Sequence, residues 1–107
     1  MSLKIATLEL KSDKYIPYIP EKFRGYIANR NIGNPLFHQH LQEKNLVYRY
    51  PQIHYLVLNG KAIIVGVKNG ADEVPKLFND IDELIMGDEK YCILDKQLSI
   101  KTHNFNF

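Results

Sequence analysis

The chain has 107 residues, 45% of them hydrophobic and 24% charged, with a formal net charge of +2. That size fits one domain around a single core, and the composition excludes disorder, collagen and repeat arrays. No apolar run is long enough to span a bilayer and the first residues lack the apolar core of a secretory signal, so neither a membrane-spanning nor a secreted protein is expected.

In chain order, Leu8 and Leu10 alternate with Thr7, Glu9 and Lys11, the two-residue period of a half-buried strand. Pro17 and Pro20 interrupt it. Phe23, Tyr26, Ile27 and Arg30 then recur at helical spacing, predicting a helix over 21–31 that opens near Pro20. Gly33, Asn34 and Pro35 close it, and 36–42 has room for one or two more helical turns. Strand formers fill 46–50, Pro51 interrupts them as at a bulge or sheet edge, and they resume over 53–58. Asn59-Gly60 is the pair that a type I′ hairpin turn favours, with 61–68 as the returning strand. Asp72 is placed to cap a second helix, with Val74, Leu77, Phe78, Ile81, Leu84 and Ile85 as its apolar stripe. After a turn at Gly87-Asp88, Cys92, Leu94, Leu98 and Ile100 line one face of a last strand, with Lys96 as the exception. The order β-α-β-β-α-β predicts an α+β, ferredoxin-like domain over 1–107, an antiparallel sheet with two helices on one face. Cys92, the only cysteine, cannot close an internal disulfide, which fits a cytoplasmic, reducing setting.

Charge is unevenly spread. From Lys22 to Arg49, the bases Lys22, Arg24, Arg30, Lys44 and Arg49 stand against the single acid Glu43. Asp72, Glu73, Asp80, Asp82, Glu83, Asp88, Glu89 and Asp95 stand against Lys76 and Lys90. An anionic partner is steered toward the first group, unless both are merely solvated faces.

The densest polar chemistry lies in Leu36-Phe37-His38-Gln39-His40-Leu41 and in Leu46-Val47-Tyr48-Arg49-Tyr50-Pro51-Gln52-Ile53-His54-Tyr55. Imidazole takes and returns protons near neutrality. Scission of RNA without a metal needs a base for the 2′-hydroxyl, a cation for the phosphoryl charge and an acid for the departing 5′-oxygen. His38 and His40 suit the proton transfers, Arg30 or Arg49 the charge, and Tyr48 or Tyr50 a hydrogen bond or a stacked base. The same residues also admit a structural reading, with His40 on the Leu36/Phe37/Leu41 face of a helix and His54 on a strand. His103 reads as merely exposed. His38-x-His40 as a zinc chelate has no second spaced pair to complete it, so no metal and no cofactor are expected. No phosphate-binding glycine loop or nucleophile elbow is present.

Those two runs resemble the N-terminal domain of CRISPR-associated repeat-processing endoribonucleases of the RAMP superfamily. That domain carries leucine-histidine-asparagine-histidine-leucine, then tyrosine-arginine-tyrosine-proline-leucine-isoleucine-glutamine-tyrosine. The resemblance extends upstream to Phe23-Arg24-Gly25-Tyr26-Ile27 and downstream to Ile81, and Tyr48-Arg49-Tyr50-Pro51 is its specific part. Gln39, Gln52 and His54 depart from it mildly. The resemblance implies metal-independent cleavage of CRISPR repeat RNA that leaves a 2′,3′-cyclic phosphate. It matches His38 and His40 to the catalytic histidines, Tyr48 to the tyrosine after them and Arg30 to a basic position. Lys22, Arg24 and Arg49 join Arg30 as the phosphate-binding set. The family has a second ferredoxin-like domain with a glycine-rich RNA-gripping loop, and this chain stops before it. Activity is therefore expected with that domain or a partner chain supplied, and a homodimer is one way to supply it. The alternative reading is a non-catalytic RNA-binding or protein-interaction module of the same fold.

Overall fold

The structure is a computed structural model that describes residues 2–31 and 52–104. Strand β1 spans Ser2–Ser12, helix α1 Pro20–Arg30, β2 Ile53–Leu58 and β3 Lys61–Val67. A short helix α2, Gly70–Glu73, runs into a 3-10 turn at Val74–Leu77, and β4 (Glu83–Met86) and β5 (Glu89–Asn104) follow. The expected helical turns over 36–42 and the strand over 46–50 lie outside the described residues.

The strands form a five-stranded sheet in the order β2-β3-β1-β5-β4, every neighbouring pair antiparallel. Ala6, Leu8 and Leu10 of β1 and Ala62 and Ile64 of β3 are fully buried on the same sheet face, where Phe23 and Ile27 of α1 and Ala71, Val74 and Leu77 of the second helical segment meet them. The fold is thus α+β with its helices on one face, compatible with the expected ferredoxin-like order.

Local chemistry explains the boundaries. Pro20 opens α1, where its missing N–H costs nothing, and the Ile19 carbonyl accepts the amides of Lys22 and Phe23 at 3.1 and 3.3 Å. Asn31 closes the helix by donating from Nδ2 to the Ile27 carbonyl at 2.7 Å, satisfying one of the orphan carbonyls of the last turn. Asn59 and Gly60 take φ of 51° and 77°, the type I′ geometry expected of them.

The second helix is a correction. Instead of one helix carrying Val74 through Ile85, the chain makes a single α-turn, a 3-10 turn and then a strand. Pro75 supplies no amide to continue an α-helix begun at Gly70, and its ring crowds the carbonyl one turn back. Leu84 and Met86 are buried while Ile85 is 45% exposed, which is strand alternation. Gly87, at φ 66°, turns this β4 into β5. The β4–β5 hairpin packs back over α1.

β5 corrects a second expectation. Between Ile93 and Asp95 it spans two residues while β1 advances by one, from Ser12 to Lys11. This bulge shifts the side-chain phase. Tyr91 and Ile93 face the core, Leu94 sits in the bulge, and Lys96, Leu98 and Ile100 pair with Leu10, Leu8 and Ala6 on the helix side. Cys92, Leu94, Leu98 and Ile100 therefore do not share one core-facing row. All four are exposed.

Candidate nucleic-acid interface

Helix α1 presents Lys22, Arg24 and Arg30, all exposed. Residues 22 and 24 lie on opposite flanks of a helix, whereas 22 and 30 lie near one another around its axis. The contacts follow that geometry. Lys22 Nζ reaches the β4–β5 turn, 3.5 Å from where a side chain on Gly87 would begin. Arg30, on the same flank, donates to the Asp80 carbonyl at 3.3 Å and to the Tyr26 hydroxyl at 3.4 Å, with its guanidinium 5.6 Å from the Tyr26 ring centre. Arg24 stands on the β2 flank, close enough for its charge to act on the Tyr55 hydroxyl.

These contacts orient the Arg30 guanidinium without neutralising it, because neither partner is a carboxylate. Among the described residues Lys22, Arg24 and Arg30 enter no ion pair. The acids of the second half are different. Asp72 pairs with Lys4 at 2.8 Å, Glu73 with Lys76 at 3.0 Å, Asp82 with Lys96 at 3.0 Å, Glu83 with Lys90 at 3.2 Å and Glu89 with Lys14 at 3.2 Å. The Lys4 ammonium, by hydrogen bond and charge, holds the Asp72 carboxyl below its ordinary value. Among the described residues, ion pairs thus blunt much of the acidic stretch and leave Lys22, Arg24 and Arg30 of α1 without a carboxylate partner, an electrostatic setting that favours an anionic ligand.

His38, His40, Tyr48 and Arg49 lie outside the described residues. Of the sequence-derived set, the structure places Lys22 and Arg30 along one flank of α1 and Arg24 along the other. His54 is exposed on the face of β2 away from the helices, and His103 is exposed near the end of β5. Among the described residues no group of three His, Cys, Asp or Glu side chains gathers as a metal site.

Tyr55 is the residue that sequence reasoning passed over. Its ring meets Phe23 edge-on, with centres 5.5 Å apart and planes at 88°. Its hydroxyl is buried and has no hydrogen-bond partner among the described residues, an uncommon state for a tyrosine. Burial pushes its pKa far above the ordinary value, and the Arg24 charge offsets part of that. Alternation along Ile53–Leu58 puts Tyr55 on the face opposite His54, but nothing in sequence marks a hydroxyl as lacking a partner.

A family model described as the Cas6b N-terminal domain matches residues 1–104. A solved structure titled "Crystal structure of Cas6b" superposes with a TM-score of 0.74 at 24% sequence identity, a likeness of fold. It covers 98% of this chain and 49% of that one, so the chain spans about half the length of the solved protein. No curated protein matches the chain.

Proposed function

Because the chain belongs to the family of Cas6b N-terminal domains, we propose that it serves in the metal-independent processing of CRISPR repeat RNA. The observation that carries this reading is the row of basic side chains on α1. Lys22, Arg24 and Arg30 have no carboxylate partner among the described residues, and Arg30 ends the helix from which the chain continues to His38 and His40. The strand order β2-β3-β1-β5, with β4 as an added edge, supports the ferredoxin-like reading of the fold.

In this proposal one imidazole of the pair His38 and His40 removes the proton of the 2′-hydroxyl, which attacks the adjacent phosphorus. The other protonates the 5′-oxygen as the P–O bond breaks, leaving a 2′,3′-cyclic phosphate and a 5′-hydroxyl. Arg30 and Arg49 stabilise the negative charge that builds on the phosphoryl oxygens, and Tyr48 donates a hydrogen bond or stacks on an unpaired base. Lys22 and Arg24 hold flanking phosphates by charge. Since the chain spans half of its solved relative, the reaction is proposed for an assembly in which a second ferredoxin-like domain, in the same protein or a partner chain, completes the grip on the RNA. No described helix is long and apolar enough to cross a membrane, and a cytoplasmic setting is proposed on the chemistry alone.

The test uses labelled CRISPR repeat RNA in EDTA, with the native protein beside a His38→Ala/His40→Ala variant. Cleavage by the native protein that the variant loses, while RNA binding persists, is the expected result. Salt-sensitive binding without cleavage by the native protein would replace the nuclease reading with that of a non-catalytic RNA-binding module.

A further inference from the structure

The segment joining β1 to α1 carries Tyr15 and Tyr18, 74% and 76% exposed and the only exposed aromatic side chains among the described residues. Both stand on backbone that is tied down. Ahead of Tyr15, the Asp13 amide donates to the Cys92 carbonyl at 2.9 Å and the Asp13 carboxylate accepts the Cys92 amide at 3.0 Å. The Ser12 hydroxyl donates to the Lys14 carbonyl. After Tyr15, Ile16 is fully buried and its amide donates to the Gly60 carbonyl at 3.1 Å. The Tyr15 ring rests by one edge on the β2–β3 turn, where a Cβ on Gly60 would stand 2.7 Å from Cε2. Tyr18 sits at the apex of a three-residue turn closed by the Ile19 amide donating to the Pro17 carbonyl at 2.8 Å. Rings held this way lose little conformational freedom on meeting a flat ligand.

The lysines beside the rings are engaged, Lys14 with Glu89 at 3.2 Å and Lys61 with Glu9 at 3.0 Å. The loop therefore offers π faces rather than free cations. It leads directly into α1, whose first basic side chain, Lys22, lies one helical turn beyond Tyr18 in sequence and has no carboxylate partner among the described residues. A single-stranded nucleic acid presents the two matching chemistries side by side, phosphates for a cationic helix and bases for aromatic faces. We infer that Tyr15 and Tyr18 form a stacking platform for unpaired bases of the RNA strand whose phosphates lie along α1. The inference rests on the RNA reading above and adds a contact made through bases to those made through phosphates. Stacking accepts any base, so the platform holds the strand at the start of α1 without reading its sequence.

The test places a reporter on the platform. The chain has no tryptophan, so in Tyr15→Trp the new indole emits alone. Titration with single-stranded CRISPR repeat RNA should quench its fluorescence, whereas inorganic polyphosphate, which carries charge but no bases, should leave it unchanged. Tyr15→Leu and Tyr18→Leu should each weaken RNA binding at least about fivefold without altering the salt slope, since a stacked base is lost and no phosphate contact is. Tyr15→Phe and Tyr18→Phe should stay within about twofold of the native affinity, because the ring and not the hydroxyl makes the contact. Unchanged circular dichroism shows that the variants fold. If the native chain binds RNA but the indole is not quenched, or is quenched equally by polyphosphate, the platform is overturned and the RNA reading stands. Leucine variants that bind like the native chain or lower the salt slope, or phenylalanine variants as weak as the leucine ones, would overturn it in the same way. A native chain that binds no repeat RNA would overturn both.

Discussion

Lys96 on β5 donates to the carbonyl of Phe78 at 2.7 Å, tying the end of the second helical segment to the sheet. Its side chain is only 17% exposed and also meets Asp82 at 3.0 Å, with the Phe78 ring centre 5.6 Å from Nζ. Lys96→Met should therefore cost about 1–2 kcal/mol, because it strands a carbonyl whose donor is a charged group. Asp82 is 85% exposed, so Asp82→Ala should cost less than about 0.5 kcal/mol. Urea unfolding of the two variants gives the comparison, and equal losses would contradict the assignment of the stabilisation to the carbonyl.

The lysine that broke the apolar row of β5 in the sequence is this clamp. Strand alternation could show that position 96 faces the helices, but not that a carbonyl waited there. Elements set by local rules were legible: Leu8 and Leu10 in β1, the Phe23/Ile27 face of α1, and the Asn59-Gly60 turn. The second helix was misread because Ile81, Leu84 and Ile85 fall by chance at helical spacing, while the deciding information is how Pro75 meets a helix that starts earlier, at Gly70. The β5 bulge was invisible because it is a mismatch between two strands, a property of neither alone. For the site, the basic character of 22–30 and its division between two flanks follow from helical spacing, but the lack of ion pairs to those side chains among the described residues depends on where the acids of the second half end up.

Two glycines should respond oppositely to alanine. A Cβ on Gly25 would meet nothing within 4 Å, in the middle of an exposed helical surface. Gly25→Ala should stabilise by about 0.5–1 kcal/mol, as helix propensity alone dictates. A Cβ on Gly66 would run into the Gly70 carbonyl, and into Val74 Cγ2 at 2.7 Å, where β3 and α2 press together. Gly66→Ala should destabilise by about 1–3 kcal/mol. Thermal melts should shift up for the first and down for the second.

Tyr55→Phe should leave stability unchanged or raise it by up to about 1 kcal/mol, because it removes a buried hydroxyl that has no partner among the described residues. The variant should also alter the alkaline limb of stability. The folded pKa of Tyr55 lies above the unfolded one, so the folded form favours the protonated phenol. Its contribution is intact below the ordinary tyrosine value of about 10, and is lost as pH rises past it. The native protein should lose stability above that pH more steeply than Tyr55→Phe does. Parallel urea midpoints from pH 8 to about 11 would contradict the burial argument.

The opposite flanks of α1 give the RNA reading its sharpest consequence. If Lys22 and Arg24 each neutralise one phosphate, Lys22→Ala and Arg24→Ala should each reduce the slope of log affinity against log salt by about 0.7, the value for single strands. The reductions should add in the double variant, since the two residues share no partner. With RNA saturating, the cleavage rate should stay near that of the native protein, because charges that only hold flanking phosphates bind the ground state and the transition state alike. Arg30→Ala should behave differently. Its guanidinium is oriented by Asp80 and Tyr26, and its proposed role is to meet charge that develops during the reaction, so the rate at saturation should fall by at least about tenfold. Filter binding across a salt series, paired with single-turnover cleavage in EDTA, separates the two behaviours. Lysine and arginine variants that alter only the rate, or an Arg30 variant that alters only the salt slope, would reverse the roles assigned to these side chains.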